Sequence, residues 1–330
     1  MKFSIRLNND LPVARYPELA RAAEEAGFDQ LWVSDDLFLR GVWPILSACA
    51  LATTRIELGT CVVNPATMHP AEIAMQAAAL DELSGGRFNL GLAAGAADFL
   101  GWVGLAHERP LAATEAAIRQ LRALFAGERG DAGWAEEARL RFGTRRIPIY
   151  LGATSPRMQR LIGRLADGGL PLLFPPEHFS EVLELVRAGA LAAGRSADEI
   201  DLAACIWVSV AEDRAAAEGA LREKIAYYGH AMGEAVLARL GVAAEELLPA
   251  SRAAQVDGDI GRARALVPDA MLRLGVVGSG RDLLGRLEHL ARLGARHLSF
   301  GPPLGPDPLA AIAILGREVL PHLRGGLGAA

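Results

Sequence analysis

The two ends of this sequence carry the same arrangement. VARYPELARAAEEAG (13–27) sets apolar residues at helical spacing, closes on Gly27 and runs into DQLWVS (29–34), a short apolar strand. RDLLGRLEHLARLGARHLSFG (281–301) repeats it, with Gly294 between helix and strand. A glycine there suits a left-handed C-cap that turns the chain back into a sheet. The same alternation fills the middle of the chain. Strands are expected at 3–7, 29–34, 57–63, 88–92, 147–152, 169–174, 202–209 and 297–300. Helices are expected at 41–53, 70–83, 111–126, 156–166, 179–193, 213–228, 281–293 and 306–323. Eight strands each followed by a helix predict an α/β fold of the (β/α)8 TIM-barrel type. A doubly wound sheet is the competitor, but the strand count is eight and no dinucleotide fingerprint opens the chain.

One stretch departs from the alternation. Residues 227–271 are helical, Ala-rich and punctuated by Gly241, Pro249 and DGDIG. They are expected to form a helical insertion between strands 7 and 8, either a cover for the barrel mouth or a plain surface excursion, within a single domain spanning 1–323. RGGLGAA (324–330) is expected to be a flexible tail.

Bulk properties exclude several classes. With 51% hydrophobic and 22% charged residues the chain can bury a large core. A net charge of −5, with Lys and Arg scattered, argues against a nucleic-acid partner. Cys49, Cys61 and Cys205 are isolated, which fits a reduced, cytoplasmic protein and offers no metal spacing. MKFSIRL lacks the apolar stretch of a secretory leader, and no run is long enough for a membrane helix.

Chemistry in such a barrel gathers where strands end. SDDLF (34–38) places Asp35 and Asp36 together at the end of the second strand, as a base, as a partner for a ring nitrogen, or as a cap of the next helix or loop. LGATSP (151–156) ends the fifth strand where Pro156 opens a helix. Gly152, Ala153, Thr154 and Ser155 would let a phosphate approach the helix N-terminus, against the plain alternative of an N-cap at Ser155. GVVGSG (275–280) has its glycines in the wrong order for a dinucleotide loop and reads as a helix start. His69, before Pro70, reads as structural. No Ser/His/Asp arrangement and no metal cluster emerges.

NPATMHPAEIAMQAAALDELSGGRFNLGLAAG (64–95), IPIYLGATSPRMQRLIGRLADG (147–168) and VVGSGRDLLGRLEHLARLGARHLSFGPPLGPD (276–307) together resemble the luciferase-like (bacterial luciferase) superfamily. The likeness is to its deazaflavin-dependent branch, which includes the methylenetetrahydromethanopterin reductases. The resemblance spans nearly the whole chain. It implies an oxidoreductase that moves a hydride between coenzyme F420 and a small organic substrate. The alternatives are an FMN-dependent monooxygenase and a member that has lost cofactor and catalysis. It also implies a homodimer, a non-prolyl cis bond at Cys61–Val62 behind the ring, and cofactor contacts from Asp35, Asn64, Ala94, Gly95, Ala153, Thr154 and Ser155. Two departures bear on the substrate. Relatives carry His where Asp36 stands, and the reductases carry Glu where Arg6 stands. Asp36 and Arg6 are therefore expected on the substrate side, with Arg6 offering a planar positive fork to an anionic substrate rather than an acid to a methylene-pterin.

Overall fold

The computed structural model describes residues 1–106, 108–143, 145–229 and 232–326. The chain folds as a closed barrel of eight parallel strands surrounded by helices. The strands are β1 (Lys2–Leu7), β2 (Gln30–Val33), β3 (Glu57–Thr60), β4 (Phe88–Leu92), β5 (Ile149–Gly152), β6 (Gly168–Leu170), β7 (Asp201–Val210) and, after a short β8 (Gly275–Gly278), the last barrel strand β9 (His297–Leu304). Two compact units make up the chain, one of residues 2–172 and 181–203, the other of residue 1, 173–180 and 204 onward.

The first unit holds β1 to β6 and the start of β7, in sequential parallel pairs such as Ile5↔Leu31, Leu31↔Leu58 and Gly91↔Tyr150. Gly27 takes a positive φ of 88° between the helix Tyr16–Glu25 and β2, as its place between the two periods predicts. Pro70 starts the helix Pro70–Leu83 on the expected residue, with its N-terminus capped by the His69 ring. Two strands stop three or more residues short of their expected ends. β6 stops at Leu170 because Pro171 has no N–H to continue the ladder. β3 stops at Thr60, where a side chain takes the place of a ladder rung. Helix Ala97–Trp102, after β4, has no counterpart in the expected elements.

The second unit contains the helix Arg214–Tyr228 and the short helices Glu234–Leu240, Leu248–Gln255 and Ile260–Leu266, the last two packed against each other and against 214–228. The expected insertion is thus helical, and it precedes a strand that the alternation of periods does not reveal. β8 pairs with Trp207–Val210 of β7, and Ser279 then caps the helix Gly280–Arg292 in a reciprocal box with Asp282. Gly294 has a φ of 103°, again as predicted. Helix Leu320–Gly326 reaches the first residues of the expected tail; 327–330 lie outside the described residues.

The lower end of the first unit is closed by a polar network at the N-terminal ends of the strands. Lys2 Nζ reaches Asp201 at 3.0 Å and Glu57 at 3.4 Å. Glu57 also accepts from Gln30 and Asn89, Tyr150 donates to Asp201 at 2.7 Å, and the Trp32 indole donates to Gln30. Burial lowers the Lys2 pKa, but the charges of Asp201 and Glu57 outweigh it and hold the ammonium above its ordinary value. Burial, followed by Asp201, pushes the Tyr150 phenol up. At this end of a barrel such groups serve stability. A lysine with a raised native pKa contributes stability that is complete below its unfolded value and lost as pH rises through the native one. Lys2→Met should therefore lower the urea-unfolding free energy by about 1–3 kcal/mol at neutral pH. The gap between wild type and variant should narrow as pH climbs past the ordinary lysine range; a pH-independent gap would contradict this assignment.

Candidate active site

Parallel strands put their C-terminal ends on one side, and the two-residue alternation decides what faces inward. The inward residues of the lower network are Lys2, Gln30, Glu57 and Asn89. Two or four residues on, the same faces carry Arg6, Trp32, Gly59 and Gly91. Gly59 has no side chain because Trp32 occupies that space: a Cβ there would stand 2.2 Å from the indole. The Trp32 ring meets Tyr150 edge-on, with centroids 4.9 Å apart. Arg6 lies opposite Trp32 in register and is only 8% exposed. The barrel interior therefore carries a cation at the level of this aromatic layer, on the side toward the strand ends.

The ladder between β3 and β4 is broken by one side chain. The Thr60 hydroxyl accepts the Gly91 N–H at 2.9 Å and donates to the Gly91 carbonyl at 2.8 Å. Gly91 must be glycine, since a Cβ there would stand 1.8 Å from the Thr60 carbonyl oxygen. Past this point Cys61 donates its N–H to Val33, the Cys61–Val62 peptide bond is cis, and Val63 rejoins β4 through Gly91 and Ala93. The cis bond stands where the family resemblance implies it. Asn64, 9% exposed, comes next. Its Oδ1 accepts from Ala66 and Thr67, so the loop leaving β3 is tied by its own side chain.

The ends of β3, β4 and β5 converge here. A Cβ on Gly152 would lie 3.2 Å from Val62 and 3.3 Å from Ala93. Gly95 has a φ of 92°, and a Cβ there would lie 3.2 Å from Asn64 and 3.3 Å from Leu100. Ala94 lines a small hollow with Pro65, Ala66 and Arg109. Of the expected cofactor residues, Cys61, Val62, Asn64, Ala94 and Gly95 thus share one neighbourhood, and Ala153 continues directly from Gly152. Thr154 and Ser155 are exposed at the N-terminus of helix Pro156–Leu165, where the Ser155 hydroxyl accepts from Met158 at 3.4 Å. Ser155 is thus the N-cap of this helix, with a long cap bond.

The acidic pair divides. Asp35 Oδ1 accepts the Val42 N–H at the start of helix Val42–Ala52, so Asp35 does the capping work that its sequence position also allowed. Burial, and then the neighbouring Asp36 charge, raise the Asp35 pKa against that hydrogen bond. Asp36 is held through its backbone and by the Ser34 hydroxyl, which lies 3.4 Å from its Oδ2. Fully buried Asn9 donates to the carbonyls of Asp36 (3.1 Å) and Arg40 (2.8 Å) and is itself held by Ser34. The sequence pattern alone does not single out Asn9 and Ser34, although RLNND and SDDLF mark the strand ends that carry them. Beyond them stands an apolar wall: Trp102 packs on Phe99 at 4.6 Å and on Phe38 at 6.3 Å. Phe38 is 75% exposed and holds a positive φ of 65°. No cluster of three or more His, Cys, Asp or Glu side chains suited to a metal occurs among the described residues, and no helix among them is long and apolar enough to cross a membrane.

A parallel barrel whose third strand breaks at Thr60 and turns through the cis Cys61–Val62 bond has the architecture of a luciferase-like barrel. The chain belongs to this family: the profile of the Luciferase-like monooxygenase family matches residues 1–297. A 5,10-methylenetetrahydromethanopterin reductase of Methanolobus tindarius is 33% identical, over 97% of this chain and all of its own length. An F420-dependent glucose-6-phosphate dehydrogenase of Nakamurella multipartita is 30% identical, over 94% of this chain and 93% of its own. The solved structure of the coenzyme F420 dependent tetrahydromethanopterin reductase from Methanopyrus kandleri superposes with a TM-score of 0.87 at 28% identity, covering 97% of this chain and 99% of that one.

Thr60→Val keeps the shape but leaves the buried Gly91 N–H unpaired, while the Gly91 carbonyl keeps its bond from the Val63 N–H. An unpaired buried group costs about 1–3 kcal/mol, so chemical unfolding should show a loss of about 1–3 kcal/mol. A loss below about 0.5 kcal/mol would mean that the hydroxyl does not hold the strand ends together.

Proposed function

We propose that this chain is a coenzyme F420-dependent oxidoreductase that acts in the cytoplasm as a homodimer on a small anionic organic substrate. The cofactor rests on full-length likeness to F420-dependent relatives and on a rim whose residues fit such a molecule. Small side chains at Ala93, Ala94, Gly95 and Ala153 leave the backbone accessible where β3, β4 and β5 converge. The helix N-terminus at Ser155 suits the coenzyme's phosphate. When bound, the deazaflavin supplies hydride chemistry, and the protein positions, shields and tunes charge.

Arg6 is the observation that carries the substrate class. A buried guanidinium at the level of Trp32 gives a carboxylate or phosphate a two-pronged partner in a low-dielectric setting. Arg6 stands where the resemblance places the reductases' Glu, which favours an anionic substrate over a methylene-pterin. Asp36, on the loop that Asn9 fixes, is the group that holds or moves a proton on the substrate side. Phe38 and Trp102 present an apolar wall to the rest of the substrate.

Two substitutions test the two halves of this reading separately. Ser155→Asp brings a negative charge to the phosphate position and should weaken coenzyme F420 about tenfold or more in a calorimetric titration. Arg6→Ala should leave coenzyme affinity intact while lowering kcat/KM for a carboxylate- or phosphate-bearing substrate by about a hundredfold. Unchanged coenzyme affinity in the first would remove the phosphate site; unchanged turnover in the second would remove the anionic substrate.

A further inference from the structure

We propose that a second site, on the outer face of the first unit, binds a planar apolar molecule carrying one anionic group. It is a cavity of about 600 Å³ between the start of helix Pro70–Leu83, the end of helix Pro110–Phe125 and the loop 131–141. That volume is within the range of small-molecule pockets. Met75, Leu124 and Leu140 supply its apolar lining, and Met75 is 50% exposed.

The aromatic wall is pre-formed. The Trp134 indole stacks at 33° on the His69 ring, with centroids 5.3 Å apart. Gly130 lies under its far edge, where a Cβ would stand 2.5 Å from the ring. Arg129 donates to the Trp134 carbonyl and Asp131 turns the loop beneath it, so the indole is held by the chain's own contacts. His69 Nδ1 accepts the Ala71 N–H at 3.2 Å, which leaves its ring hydrogen on Nε2 as a donor. Arg139 and Arg141 line the same cavity with Glu137, a net positive edge beside an aromatic floor. Neither arginine forms an ion pair among the described residues. A rigid stacking surface, a polarizable thioether and two guanidinium groups recognise an aromatic anion. The site does not depend on the oxidoreductase function.

Two probes with one skeleton test this directly: 8-anilinonaphthalene-1-sulfonate, and N-phenyl-1-naphthylamine, which lacks the sulfonate. Both should bind the wild-type chain at one site with a fluorescence rise sensitised by tryptophan, and excess coenzyme F420 should displace neither. Trp134→Ala should weaken both about tenfold. The double variant Arg139→Gln, Arg141→Gln should weaken the sulfonate about tenfold and leave the neutral probe within about twofold. Displacement by the coenzyme, equal loss of both probes in the arginine variant, or probe release on association of two copies in sedimentation would each overturn the proposal. The last would mark the cavity as an interface between chains.

Discussion

The upper rim hangs on the exchange of one side chain for one rung of a ladder. Where a regular β3 would bond β4 backbone to backbone, the Thr60 hydroxyl satisfies both the N–H and the C=O of Gly91. The β3 backbone is then free to turn through Cys61 and Val62 and rejoin at Val63 without leaving buried polar groups orphaned. Everything placed at the rim depends on that turn: Gly152 sits close to Val62 and Ala93, Gly95 sits close to Asn64, and the loop tied by Asn64 feeds the His69 cap. Gly91 allows the close approach and has no substitute there.

Below the rim, the barrel interior is layered by charge and size. An ion and hydrogen-bond network closes the bottom, Trp32 fills the volume that Gly59 vacates, and Arg6 lies at the same level, toward the strand ends. The order separates tasks. Charges at the lower end are mutually satisfied and serve stability, while the buried guanidinium stands on the side where chemistry gathers in such barrels. The Asn9–Ser34 pair extends this logic to the loop bearing Asp36, which is held in place through its carbonyl.

What can be read from the sequence is local or periodic. The alternation of periods, the glycines at 27 and 294 and the proline at 70 each encode their structure within a few residues, and the structure agrees with them. The strand break at Thr60 is not legible in this way. Its cause is a partner 31 residues away, and nothing in TCVV distinguishes a hydroxyl that replaces a rung from one that merely packs. β8 escapes the pattern for the same reason, since GVVG is a strand only because Trp207–Val210 lies beside it. Extending β6 past Pro171 ignores a local rule that the sequence does contain. The acidic pair shows a third case: both roles are legible, but only the placement of the Val42 N–H assigns capping to Asp35. The cis bond at Cys61–Val62 is legible only through family resemblance.

A deazaflavin site at this rim of a luciferase-like barrel is tested most directly by parallel calorimetric and fluorescence titrations of the purified chain with coenzyme F420 and with FMN. Saturable one-per-chain binding of coenzyme F420, at least about tenfold tighter than FMN, is expected. Tighter binding of FMN, or binding of neither, would contradict it.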